Sequence, residues 1–195
     1  MTQTALILGA NGRFGNNMRL ALNAAGWNVR KFDRADGDLE QAAQGADVIV
    51  YGWNPTYDRW AEDVPKQTKQ VIDVAKSTGA TILFPGNVYV YGEGAPDVFA
   101  EDTLHGATNP MGRIRVEMEQ AFAQSGVPTI LLRGIGPTSS RWSTTRNGTA
   151  SSRTWSVRTV EPSSPASASG TSREASRQWR CICRCSLRPQ RTTNG

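Results

Sequence analysis

Cysteine is missing from the first 180 residues of this 195-residue chain, and the three present, Cys181, Cys183 and Cys185, stand together near the end. The part able to build a core therefore has no disulfide framework, and a C-x-C-x-C run without a second ligand cluster argues against a zinc site, so no metal is expected. Histidine occurs once, at His105, in a Gly-rich loop, and is expected to be a loop residue. No apolar run approaches the roughly 20 residues that cross a bilayer. Near the N-terminus "ALIL" is too short, and lacks the basic flank, for a secretory signal. These absences exclude a disulfide-stapled domain and a membrane partner, and the expected location is cytoplasmic.

Apolar residues are scarce in the last third. Residues 137–195 hold only Val157, Val160, Ile182 and Leu187 among Val, Ile, Leu, Met and Phe, and contain no Asp, Lys or Tyr. That is far below the roughly 20% that separates globular from disordered composition. Charge divides at the same place. Residues 1–136 carry 12 Lys and Arg against 15 Asp and Glu, whereas residues 137–195 carry 10 Arg against two Glu. The net charge of +5 is thus a property of the tail. Residues 138–195 read either as a natural disordered basic tail or as a segment translated out of frame, since alternative frames of a GC-rich gene are rich in Arg, Ser, Pro and Ala codons. The abruptness of the change favours the second. Arg with Trp142, Trp155 and Trp179 could attract nucleic acid through charge and stacking, but specific recognition is not expected without a fold to present them.

What is present, from Thr4 to Arg133, alternates between short apolar runs and amphipathic stretches, the pattern of parallel strands joined by helices. Strands are expected at 4–8, 28–33, 47–51, 80–84 and 128–133, and helices at 13–25, 60–78 and 111–124, each helix followed closely by a glycine. Arg113 and Arg115 precede Glu117 and Glu119 by four residues, the spacing of exposed helical pairs. The expected fold is an α/β, Rossmann-type, doubly wound parallel sheet of about five strands in residues 1–137, with the last strand as an exposed edge.

The first strand runs into "GANGRFG", in which Gly9, Gly12 and Gly15 have the spacing G-x-x-G-x-x-G. At a strand-to-helix turn, glycine permits positive φ and lets the backbone approach a diphosphate seated on the helix N-terminus. The second strand is followed by Asp33, 18 residues beyond Gly15, where a carboxylate can accept hydrogen bonds from an adenosine ribose. That favours NAD. Arg13 and Arg34 could each meet a 2′-phosphate, which leaves NADP open.

In these motifs the chain resembles the extended short-chain dehydrogenase/reductase family, the NAD-dependent epimerase/dehydratase group, over residues 4–137. "LGANGRFG" is similar to its glycine signature and "GADVIVYGWNP" to the strand and loop beneath the nicotinamide ribose. "TILFPGNVYVYGEG" resembles the strand ending in V-Y-G, and "TILLRG" with the following Gly-Pro a later element. The resemblance implies cofactor contacts from Gly9, Asn11, Gly12, Arg13, Phe14, Gly15, Asp33, Arg34, Asp38, Leu39, Gly52, Trp53, Asn54 and Arg115. It also implies an NAD(P)-dependent oxidoreductase or epimerase acting on an alcohol, carbonyl or sugar-like substrate, here truncated before the substrate-capping lobe.

The family's catalytic Ser, Tyr and Lys fall on Asn87, Met111 and Arg115. Methionine carries no proton, so the family's tyrosine chemistry cannot operate at Met111. Arg115 keeps a cation and Asn87 keeps hydrogen-bonding capacity. Tyr89 is a substitute acid if, as on a strand, it shares a face with Asn87 and Tyr91. Trp53, Asn54, Pro55, Tyr57 and Trp60 follow the third strand, where a ligand would lie or where aromatics would cover the core. The replaced set keeps a second reading open, a non-catalytic dinucleotide-binding redox sensor or regulator.

Overall fold

A computed structural model describes residues 2–95, 103–133 and 156–160. Five parallel strands form the body of the sheet: β1 (Thr4–Leu8), β2 (Asn28–Phe32), β3 (Val48–Tyr51), β4 (Thr81–Gly86) and β5 (Thr129–Arg133). β3 and β5 are buried at every residue, as strands covered on both faces must be. The order is β2-β1-β3-β4-β5, so the chain leaves β1 to one side and returns to the other. That reversal opens a crevice between the C-terminal ends of β1 and β3, where α/β sheets of this kind take ligands.

Alternate side chains of each strand enter opposite layers. Leu6, Leu8, Ile49, Tyr51, Ile82 and Phe84 join one core with α3 (Trp60–Thr78) and α4 (Pro110–Gln124). Ala5, Ile7, Val48, Val50 and Leu83 join another with Met18 and Leu22 of α1 (Arg13–Ala24). Phe84 and Phe122, with ring centroids 4.5 Å apart, tie β4 to α4. Gly79 ends α3 at φ +73°, its N–H on the Ala75 carbonyl, and Asn109 starts α4 by accepting the Gly112 N–H at 2.7 Å.

Two elements depart from the sequence reading. A short α2 (Leu39–Ala43) follows Asp38, whose Oδ1 accepts the Glu40 N–H at 2.9 Å and starts the helix. β5 is not an open edge: β6 (Ser156–Val160) pairs with it antiparallel, Thr129 opposite Val160 and Arg133 opposite Ser156. Backbone pairing satisfies an edge whatever the side chains, which is why an apolar-poor segment read as unstructured can supply a strand. The tryptophans and cysteines of the tail lie outside the described residues.

Candidate dinucleotide site

Between β1 and α1 the chain turns at Gly9, φ +72°, and Gly12 donates its N–H to the Gly9 carbonyl at 3.0 Å. A β-carbon on Gly9 would sit 2.7 Å from the Gly52 carbonyl oxygen, one on Gly52 2.5 Å from that of Leu8, and one on Gly15 against that of Gly9. Three glycines thus let the β1 turn, the start of α1 and the end of β3 meet backbone to backbone. α1 begins at Gly12 with no side-chain cap and no acidic residue in its first turn. Its leading N–H groups are open to an anion, and Arg13 adds positive charge beside them. Asn11, Arg13 and Phe14 lie on this loop and first turn, with Asn11 and Arg13 exposed.

On the β2 side, Asp33 follows the strand and accepts the Ala35 N–H on Oδ1 at 3.1 Å. Its neighbour Arg34 lies over the Trp53 ring, 4.5 Å from the centroid. Asp38 is engaged as the α2 cap, and Leu39 is 2% exposed within the core. The Leu39 side chain is turned into the core, which leaves its backbone groups for the cofactor contact that the resemblance implies.

On the β3 and β4 side, several expected relationships change. Asn87, Tyr89 and Tyr91 do not share a strand face. β4 ends at Gly86, and the Asn87 side chain accepts the Tyr89 N–H at 3.1 Å, bending Val88–Tyr91 into a 3₁₀ turn. Tyr91 is buried while Tyr89 is 41% exposed, its hydroxyl 3.4 Å from that of Tyr57. That hydrogen bond raises the Tyr89 pKa above its ordinary value. Tyr57 in turn packs on Trp60 with centroids 4.8 Å apart. Met111 is half-buried at the second position of α4 and packs against the larger core. The helix start abuts the Tyr89 turn, since a β-carbon on Gly112 would lie 2.6 Å from the Tyr89 carbonyl oxygen.

Arg115 is not the exposed helical cation its spacing suggests. It is 9% exposed, with its guanidinium 4.0 Å above the Trp60 ring, Nη2 donating to Asn54 Oδ1 at 2.7 Å and Nη1 to Met118 Sδ at 3.1 Å. Burial pulls its pKa below the usual arginine value. Glu119 pairs instead with Arg133 Nη2 at 2.6 Å and with His105 Nε2 at 3.2 Å. His105 thus has a carboxylate partner, and the Arg133 guanidinium sits 5.1 Å from the Tyr91 ring centroid while Nη1 reaches the Asn87 carbonyl. This cluster escaped sequence reasoning. Its one signal was Arg133 closing an otherwise apolar strand, where a buried cation demands a buried partner.

No protein-family profile and no curated protein matches the chain. Solved structures do. MoeE5 in complex with UDP-glucose and NAD is 18% identical with a TM-score of 0.52, covering 63% of this chain and 49% of that one. The dTDP-4-dehydrorhamnose reductase of Bacillus anthracis in complex with NADP is 19% identical with a TM-score of 0.57, covering 68% and 53%. A short-chain dehydrogenase/reductase superfamily protein of Agrobacterium tumefaciens with bound NAD is 22% identical with a TM-score of 0.51, covering 66% and 48%. The chain spans about half the length of these proteins. Among the described residues no helix is long and apolar enough to cross a membrane. Over about two thirds of its length the chain has the fold of these proteins.

Proposed function

We propose that this chain binds a nicotinamide dinucleotide across the β1/β3 crevice and is an NAD(P)-dependent oxidoreductase- or epimerase-like protein with an altered catalytic set. The observation that carries the reading is the junction of Gly9, Gly15 and Gly52 below an uncapped α1. Those backbones leave room for a diphosphate, and the N–H groups of the first turn have the donor chemistry it needs. Asp33, on the β2 side, would accept the adenosine ribose hydroxyls. Arg34, held over Trp53, has a free edge for a 2′-phosphate, so both NAD and NADP fit. When bound, the nicotinamide supplies hydride transfer.

The substrate lies, in this reading, over the Tyr57–Tyr89 pair at the mouth of β3 and β4. Two phenols in mutual hydrogen bond use one hydroxyl proton between them and leave the other free to be donated to a carbonyl or hydroxyl oxygen. Asn87 is occupied in its own turn and Met111 has no proton to give. The sugar nucleotides named with neighbouring structures make an alcohol, carbonyl or sugar-like substrate the class to test.

A second reading, a redox-sensing or regulatory dinucleotide binder without turnover, draws on Arg115. Its guanidinium is engaged with Asn54, Trp60 and Met118, and Met111, at the position of the family's tyrosine, has no proton for it to mobilise. Incubation with deuterated NADH and NADPH and a panel of carbonyl compounds separates the two. Deuterium in product alcohol, lost in Tyr89→Phe, supports the enzyme; tight cofactor binding with no transfer supports the sensor. Absence of binding rejects both.

A further inference from the structure

Arg115 is a buried cation with an unusual set of neighbours. Among the described residues no carboxylate oxygen lies at ion-pair distance from it, and its Nε, fully buried, has no hydrogen-bond partner. Isolating a charge in this way costs several kcal/mol unless it does something the fold or a ligand requires. What it holds is Asn54, an exposed residue two positions beyond Gly52 at the rim of the crevice.

A guanidinium has donors only, so the carboxamide atom facing it is Oδ1, and the amide NH2 occupies the other branch. Among the described residues nothing accepts from that NH2. We infer that Arg115 is a positioning residue that locks the Asn54 side chain with its NH2 turned to the crevice, making Asn54 the hydrogen-bond donor to the nicotinamide half of the ligand.

This rests on the dinucleotide reading and deepens it. Asp33 stands at the end of β2 and Asn54 past the end of β3, on opposite sides of the β1 glycine turn. With the diphosphate on α1 and the adenosine toward Asp33, the other half extends over β3. The matching chemistry there is a neutral acceptor oxygen, a ribose hydroxyl or the carboxamide carbonyl. The cation on Oδ1 also polarises the amide and strengthens its N–H bonds as donors.

The test uses the full chain and two probes, ADP, which reaches only the cradle and Asp33, and NAD. Calorimetric titration of Asn54→Ala, Asn54→Asp and Arg115→Met should show NAD affinity lowered about tenfold, the loss expected for one net hydrogen bond, with ADP affinity unchanged. Arg115→Lys, which keeps a donor to Oδ1, should recover most of the NAD affinity. In ¹⁵N spectra the Asn54 NH2 pair, identified by its loss in Asn54→Ala, should shift on adding NAD and stay in place on adding ADP. In Arg115→Met the pair should move to the position of an ordinary exposed asparagine. Should NAD bind the Asn54 variants and Arg115→Met as tightly as wild type, the inference is overturned while the dinucleotide reading stands. If Arg115→Met does not fold, the two Asn54 variants decide. Wild type that binds neither probe overturns the dinucleotide reading and this inference together.

Discussion

Gly9 touches Gly52 across the top of the sheet with no space for a side chain: a β-carbon on the first would lie 2.7 Å from the carbonyl oxygen of the second. Gly45 also has positive φ, at +68°, but nothing lies within 4 Å of its β-carbon position. Gly45→Ala should therefore lose only the left-handed backbone cost of about 1–2 kcal/mol. Gly9→Ala adds a collision with backbone that cannot swing aside, about 1–3 kcal/mol more. Urea unfolding of both variants checks this, and equal losses would show that the β1 turn and the end of β3 are not in contact.

Glu119 and Arg133 are buried side by side, 2.6 Å between Oε2 and Nη2. Glu119→Leu leaves the guanidinium uncompensated and should cost about 3–5 kcal/mol. The double variant Glu119→Leu with Arg133→Met removes both charges and should recover much of that loss. A double variant no more stable than Glu119→Leu alone would mean that the pair is not what makes the single change costly.

Tyr51 sets an alkaline limit. Burial pushes its pKa from 10.0 to about 12, opposed by Arg115. Because the folded value lies above the unfolded one, its contribution is complete below pH 10 and is lost as pH rises from there toward 12. The slope is about 1.4 kcal/mol per pH unit in that window. Melting temperatures from pH 8 upward should fall more steeply for wild type than for Tyr51→Phe, and parallel curves would assign the loss to other groups.

The order of strands and long helices was legible because each signal was local: aliphatic runs, a 3.6-residue stripe, and glycines such as Gly79 where the chain must turn left-handed. Side-chain caps were harder to see. Asp38 and Asn87 each bond the N–H two residues on, and so start a helix or a turn where alternation alone suggests continuation. The β6 pairing depends on an unsatisfied edge more than 20 residues away in sequence, which no local pattern reports.

The site divides the same way. The Gly9, Gly12 and Gly15 turn and the place of Asp33 follow from strand-to-helix geometry. The pairing of Asn54 with Arg115 spans 61 residues, and that of His105 with Glu119 joins a loop to a helix whose charges, by spacing alone, faced solvent. Spacing along a helix identifies which residues share a face, but not which face the core takes.

The central claim is that backbone N–H groups at the start of α1 hold a diphosphate. Gly12 is the place to test it, because its β-carbon position meets only the Gly9 carbonyl oxygen, at 3.3 Å, and a carboxylate there caps the helix. Gly12→Asp should thus keep the fold while opposing an anion. Calorimetry of NAD and NADP into wild type and Gly12→Asp, with melting curves of both, should give binding heat for wild type only and melting temperatures that agree closely. Equal heats for the two folded proteins would contradict the account.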